Sequence, residues 1–212
     1  SEVNKEMAMS NNRSTVSVHA GEEKNKPYHS LTTPMVLSST YPFTDTADLL
    51  AYKLAAEDDP LQDRQEYGRY GNPTVQAAEK KIAALENGEG ALLFSSGMNA
   101  ITSTLMTLLS RGDHLVMVCP VYRRTRDFCN FLQRWGIETS FINSNDFDEI
   151  QAALRPNTRV LFAETPSSPT LRVLNLEKTV SITRSTGILT IIDSTFGTPI
   201  NVQPLQFGAD LV

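Results

Sequence analysis

Three short segments of this sequence carry side chains whose types and spacing suit chemistry. In SSGMNA, residues 95–100, Gly97 lets the backbone come close to a ligand, and the N–H groups of Met98 and Asn99 would face an anion. Many strand–helix turns contain Gly and Ser without binding anything, so this segment needs others beside it. Asp193 ends the apolar run ILTIID and is read as the only acid ending a strand this apolar. A carboxylate there needs a partner to offset its desolvation. Either a protonated pyridine nitrogen supplies one, or Asp193 caps the next segment through Thr195. In EYGRYGNPT, residues 66–74, Tyr67 and Arg69 lie two apart, so an extended chain points both to one side. A phenol and a guanidinium together suit a phosphate. Asn72-Pro73 then ends the loop, and Thr74 can cap the helix that follows.

Other chemistries fall away. The sequence has no G-x-x-x-x-G-K-[ST], GEGALL lacks the third glycine of G-x-G-x-x-G, and SSGMN is not G-x-S-x-G. His19, His29 and His114 have no metal-ligand spacing with the cysteines and read as surface or capping residues. Cys119 and Cys129 form no disulfide framework; they read as buried free thiols of a reducing compartment, hence a cytoplasmic protein, or a plastid-stromal one in a plant. A net charge of −5 argues against nucleic-acid and anionic-membrane partners, which reward excess Lys and Arg. No apolar run approaches membrane-spanning length and no signal peptide is seen.

The elements that must position these residues follow from periodicity. With 212 residues, 40% hydrophobic and 20% charged, the chain fits a globular domain, alone or with an arm. Residues 1–60, with Pro27, Pro34 and Pro42 around the β-leaning run MVLSSTYPF, read as an extended N-terminal arm and a poor helix former. Residues 55–66 read as a charged, exposed loop. Residues 61–212 read as the main domain. TVQAAEKKIAALENG predicts a helix with Val75, Ala78, Ile82 and Leu85 on one face and Gly88 as its stop. Then come strand ALLFSS, helix MNAITSTLMTLLSR, strand HLVMVC, helix RRTRDFCNFLQRW, strand ETSFIN, helix DFDEIQAALR, strand RVLFAET, helix LEKTVSITRSTG and strand ILTIIDST. The nearly all-apolar strands predict an α/β fold, a mostly parallel sheet with helices on both faces. In such sheets ligands sit beyond the carboxyl ends of the strands, where these candidate segments fall.

In order and spacing, EYGRYGNPT, SSGMNA, the Tyr after the next strand, E-[ST]-P-x-x-P and D-x-T-F-x-T-P resemble the Cys/Met-metabolism family of pyridoxal-phosphate enzymes. Within it, EYGRYGNPT and VYRRTRDF look most like the plant type of cystathionine γ-synthase. The resemblance implies an aspartate-aminotransferase-like large domain with an extended arm and a small C-terminal domain that this chain lacks. It implies that Gly97 and Met98 offer amides to the cofactor phosphate, Tyr122 stacks on the pyridine ring, and Asp193 pairs with its nitrogen beside Thr195. It also implies a homodimer or homotetramer in which Tyr67 and Arg69 reach the neighbouring subunit's cofactor. The implied substrates are small amino acids: an activated homoserine loses its γ-substituent and cysteine's sulfur replaces it. Arg123, Arg124 and Arg126 either help receive the anionic leaving group or form an ordinary solvated helix face.

Two departures accompany the resemblance. ETPSSP places Ser168 where the family has Asn, so the expected contact to the cofactor's ring oxygen falls to a shorter side chain. The cofactor-linking lysine of the family follows GADLV, which here closes the sequence at Val212; Lys5, Lys24, Lys26, Lys53, Lys80, Lys81 and Lys178 all precede the Asp193 strand. Residues 1–212 alone are therefore expected to be poorly soluble and inactive. The competing expectations are a γ-lyase or homoserine sulfhydrylase on the same scaffold, and a truncated non-catalytic subunit.

Overall fold

The computed structural model describes residues 13–22, 24–58, 66–143 and 146–212. The chain divides into a unit running up to Ala84 with Glu89–Leu93, and another made of Leu85–Gly88 and Phe94–Val212.

The first unit holds helices α1 (Arg13–His19), α2 (Thr46–Asp58) and most of α3 (Pro73–Glu86). The expected irregular arm is therefore partly helical. TADLLAYKLAAED is free of proline, and its start is capped reciprocally: Asp48 N–H donates to Asp45 Oδ1, and Thr44 N–H donates to Asp48 Oδ2, each at 2.8 Å. The charged loop expected at 55–66 is helix as far as Asp58, and residues 59–65 lie outside the described residues. MVLSSTYPF makes a single antiparallel bridge, Thr40 to Tyr67, rather than a strand.

Helix α3 begins at Pro73 with Asn72 as its cap, whose Oδ1 accepts from Thr74 N–H at 2.8 Å. Thr74, the expected cap, instead accepts the Val36 N–H. Asn87, with φ 54°, adopts the left-handed conformation at the helix end, where Gly88 was the expected stop. The expected apolar face is displaced too: Val75, Ala78 and Ile82 are exposed. The buried positions of the helix are Ala83 and Glu86 instead. Gly21, at φ +73°, packs on another side of the helix, where a Cβ would lie 2.6 Å from the Lys81 nitrogen and 2.7 Å from the Ala77 oxygen. Lys81 Nζ donates there to the Val18 carbonyl and to Glu22.

The second unit is a four-stranded parallel sheet, order β2-β1-β3-β4, with β1 (His114–Val118), β2 (Glu138–Ile142), β3 (Thr158–Glu164) and β4 (Leu189–Asp193). Alternate residues of the apolar strands feed two cores. On one face Leu115, Met117 and Phe162 pack with Leu105 of α4 (Gly97–Leu108) and Cys129 and Leu132 of α5 (Arg123–Leu132). On the other, Val118, Leu161 and Ile192 pack with Ile150 of α6 (Phe147–Ala152) and Val180 of α7 (Leu176–Thr183). This is the expected α/β arrangement with helices on both faces. A last short helix, α8, spans Thr198–Asn201.

Two expectations fail here. ALLFSS is not a strand, and Leu92 is 77% exposed. A strand needs a ladder partner; the outer edge of β4 is taken by Asp210 and Leu211, which exchange backbone hydrogen bonds with Thr190 and Ile192. His114 is not a surface residue but fully buried, its ring bonded to Thr158 Oγ1 at 2.8 Å and Ser140 Oγ at 2.9 Å. Buried polar groups need such partners, and the two strands flanking β1 supply them. Both cysteines are buried and free, as expected. Among the described residues no helix is long and apolar enough to cross a membrane, and no group of acidic, His or Cys side chains could hold a metal.

Candidate active site

The carboxyl ends of β3 and β4, Tyr122 beyond the end of β1 and the N-terminus of α4 line a cavity of about 800 Å³. Ser96 caps α4 by accepting the Asn99 N–H at 3.1 Å. Asn99 is thereby withdrawn from the expected anion site, whereas the amides of Gly97 and Met98 have no acceptor among the described residues. A Cβ at Gly97 would meet nothing within 4 Å, so the approach to those amides is open. The pair joins the positive end of a three-turn helix to unpaired donors.

Tyr122 sits at the N-cap of α5, just past the end of β1, with 47% of its surface exposed. Its N–H donates to Glu164 Oε2 at 2.5 Å. Ser168, on the loop after β3, donates its N–H to Glu164 Oε1, also at 2.5 Å. Asp193, at the end of β4, accepts on Oδ1 from Thr195 N–H at 3.0 Å and from Thr195 Oγ1 at 2.5 Å. Both readings of Asp193 are thus compatible: Oδ1 caps the turn, while Oδ2 has no partner among the described residues. Gly97, Met98, Tyr122, Ser168, Asp193 and Thr195 all line this cavity.

The turn after Asp193 depends on Gly197, because a Cβ there would collide with Val202 and lie 2.6 Å from Ser194 Oγ.

Glu164 was missed. It ends β3 as Asp193 ends β4, and at 7% exposure it is more buried, so Asp193 is not alone in ending an apolar strand. The run RVLFAE carried the signal, but only the fold shows what its two oxygens receive. Burial raises its pKa, opposed by the Tyr122 and Ser168 amides and reinforced by the nearby charge of Asp193. Glu86 also lines the cavity, and burial raises its pKa as well.

Tyr67 and Arg69 lie in the other unit. Residues 68–70 turn instead of extending, yet the two side chains meet, with the guanidinium carbon 4.9 Å from the Tyr67 ring centre. Of the three arginines beside Tyr122, Arg124 pairs with Asp127 at 3.5 Å and Arg126 lies over Phe141, while Arg123 has no partner among the described residues. No lysine among the described residues lines the cavity.

The chain as a whole is similar to known proteins. The chain is 42% identical over 200 residues to L-methionine gamma-lyase of Fusobacterium nucleatum subsp. polymorphum, covering 93% of this chain and 49% of that protein. It is 40% identical over 202 residues to cystathionine gamma-synthase 1, chloroplastic, of Arabidopsis thaliana, covering 93% of this chain and 35% of the relative. The crystal structure of metB from Corynebacterium glutamicum superposes with a TM-score of 0.84 at 32% identity, covering 94% of this chain and 49% of that one. The chain thus spans half or less of the length of these relatives. The profile of the family "Cys/Met metabolism PLP-dependent enzyme" matches residues 14–212, and the chain belongs to that family.

Proposed function

We propose that this chain contributes the cofactor-binding part of an enzyme that carries out γ-replacement on an activated homoserine, with cysteine as the incoming nucleophile. The observation that carries this reading is the convergence of Tyr122, Ser168 and Asp193, from three adjacent parallel strands, on the cavity that the Gly97 and Met98 amides face. The donor set fits pyridoxal phosphate. Gly97 and Met98 would take the phosphate on two open amides, and Tyr122 offers an exposed aromatic face for stacking. Asp193 keeps Oδ2 for a protonated ring nitrogen while Thr195 locks its carboxylate through Oδ1. Ser168 would take the place of the family's Asn toward the ring oxygen, with a shorter side chain. Bound there, the cofactor supplies the electron sink that lets a substituent leave Cγ. Arg123, exposed at the start of α5 next to Tyr122, would be the arginine to receive the anionic substituent. Tyr67 and Arg69 serve the phosphate of a neighbouring copy, which makes the enzyme a dimer or a higher assembly.

A second reading, γ-elimination, is supported by the 42% identity to an L-methionine gamma-lyase. The whole enzyme separates them when supplied with an activated homoserine and cysteine. Cystathionine as the main product supports replacement; 2-oxobutanoate as the only product, with cysteine unconsumed, overturns it.

A further inference from the structure

We propose that Glu164 is a positioning residue: an ionised carboxylate that clamps two cavity loops by accepting one backbone N–H from each. The inference deepens the reading of the cavity as the cofactor site and rests on it.

The geometry is specific. Glu164 Oε2 receives the Tyr122 amide, 42 residues earlier in the chain, and Oε1 receives the Ser168 amide, each at 2.5 Å. Tyr122 and Ser168 follow different strands, β1 and β3, and no hydrogen bond joins the two loops to each other directly among the described residues. Their relative placement therefore passes through one buried side chain. Both oxygens act as acceptors, which only the carboxylate form does with full strength, since a protonated acid turns one oxygen into a donor. The amide at Tyr122 is also the N-cap position of α5, where a negative charge is favoured by the helix. Glu164 stands opposite Asp193 in the β3–β4 register, so the same residue sets the loops carrying the ring-stacking Tyr122 and Ser168 next to the acid assigned to the ring nitrogen. Burying a second carboxylate beside Asp193 is costly, and a core position with no task would be filled by an apolar side chain.

The test uses the holoenzyme and two measurements. Amide hydrogen exchange should show Tyr122 and Ser168 protected in the wild type to the level of the strand ends; exchange at the rate of open loop amides in both would overturn the clamp without any variant. In Glu164→Gln the side chain has one acceptor oxygen and one NH₂ group, so one of the two amides must face a donor. That variant should bind pyridoxal phosphate about ten- to a hundredfold more weakly and change the visible circular dichroism of the bound cofactor, while amides in the middle of β1 and β3 stay protected. A Glu164→Gln protein of lowered stability but unchanged cofactor affinity and unchanged dichroism would show a merely structural role and overturn the proposal. Asp193→Ala, measured alongside, tells the two readings apart: if cofactor affinity is insensitive to Asp193 the cavity assignment fails, whatever the exchange at Tyr122 and Ser168 shows.

Discussion

Glu164 and Asp193 occupy facing positions at the last step of the β3–β4 ladder, so two carboxylates end adjacent strands at one rim of the cavity. Their environments divide them. Glu164 spends both oxygens on backbone amides, whereas Asp193 spends one on Thr195 and keeps the other. One acid holds the frame and the other is available to a ligand.

Asp193→Ala in the whole enzyme should abolish most turnover and weaken cofactor binding roughly ten- to a hundredfold, the worth of one charge-assisted hydrogen bond. The visible absorbance of the bound cofactor should shift or fade. Wild-type turnover in this variant would refute the assignment.

Tyr67 and Arg69 are expected to act across subunits. Mixing an Arg69→Ala enzyme with one whose cofactor-linking lysine is replaced should recover activity in hybrid assemblies, because one intact site can then form. Hybrids demonstrated by native mass spectrometry yet wholly inactive would show that the site is not shared.

His114 predicts a pH dependence of stability. Burial lowers its pKa below 6.5, with the Arg155 charge adding to the effect and Glu138 opposing it. Above pH 6.5 the ring is neutral in both states, and its bonds to Thr158 and Ser140 contribute fully. As pH falls below 6.5 the unfolded chain takes up the proton first, so stability falls toward the folded-state value. His114→Gln should flatten that part of a plot of Tm against pH and cost about 1–3 kcal/mol at pH 7.5 by leaving buried hydroxyls poorly paired. An unchanged slope between pH 5 and 6.5 would assign the dependence to other groups.

Gly197→Ala should cost about 1–3 kcal/mol, because the new Cβ forces Val202 and Ser194 to move. Thr195 follows Ser194 directly, so cofactor affinity should fall together with Tm. Lowered Tm with unaltered affinity would separate this turn from the positioning of Asp193.

The sequence by itself determined what depends on local order. The alternation of apolar strands and amphipathic helices, the parallel sheet covered on both faces, and the candidate residues at Gly97, Met98, Asp193 and Thr195 could be read from runs and turns because a strand's end and the following helix start are neighbours in the chain, while Tyr122 and Ser168 came with the family resemblance. Tertiary structure decided everything that needs a partner from far away. On α3 the apolar positions Val75, Ala78 and Ile82 are exposed while Ala83 and Glu86 are buried, which periodicity alone did not show. ALLF has strand composition but no ladder, and His114 has a polar label but a buried network of hydroxyls from neighbouring strands. Glu164 shows the difference most clearly: its place at the end of an apolar strand was written in RVLFAE, but a carboxylate's role is set by the donors that reach it, and the Tyr122 amide comes from 42 residues away.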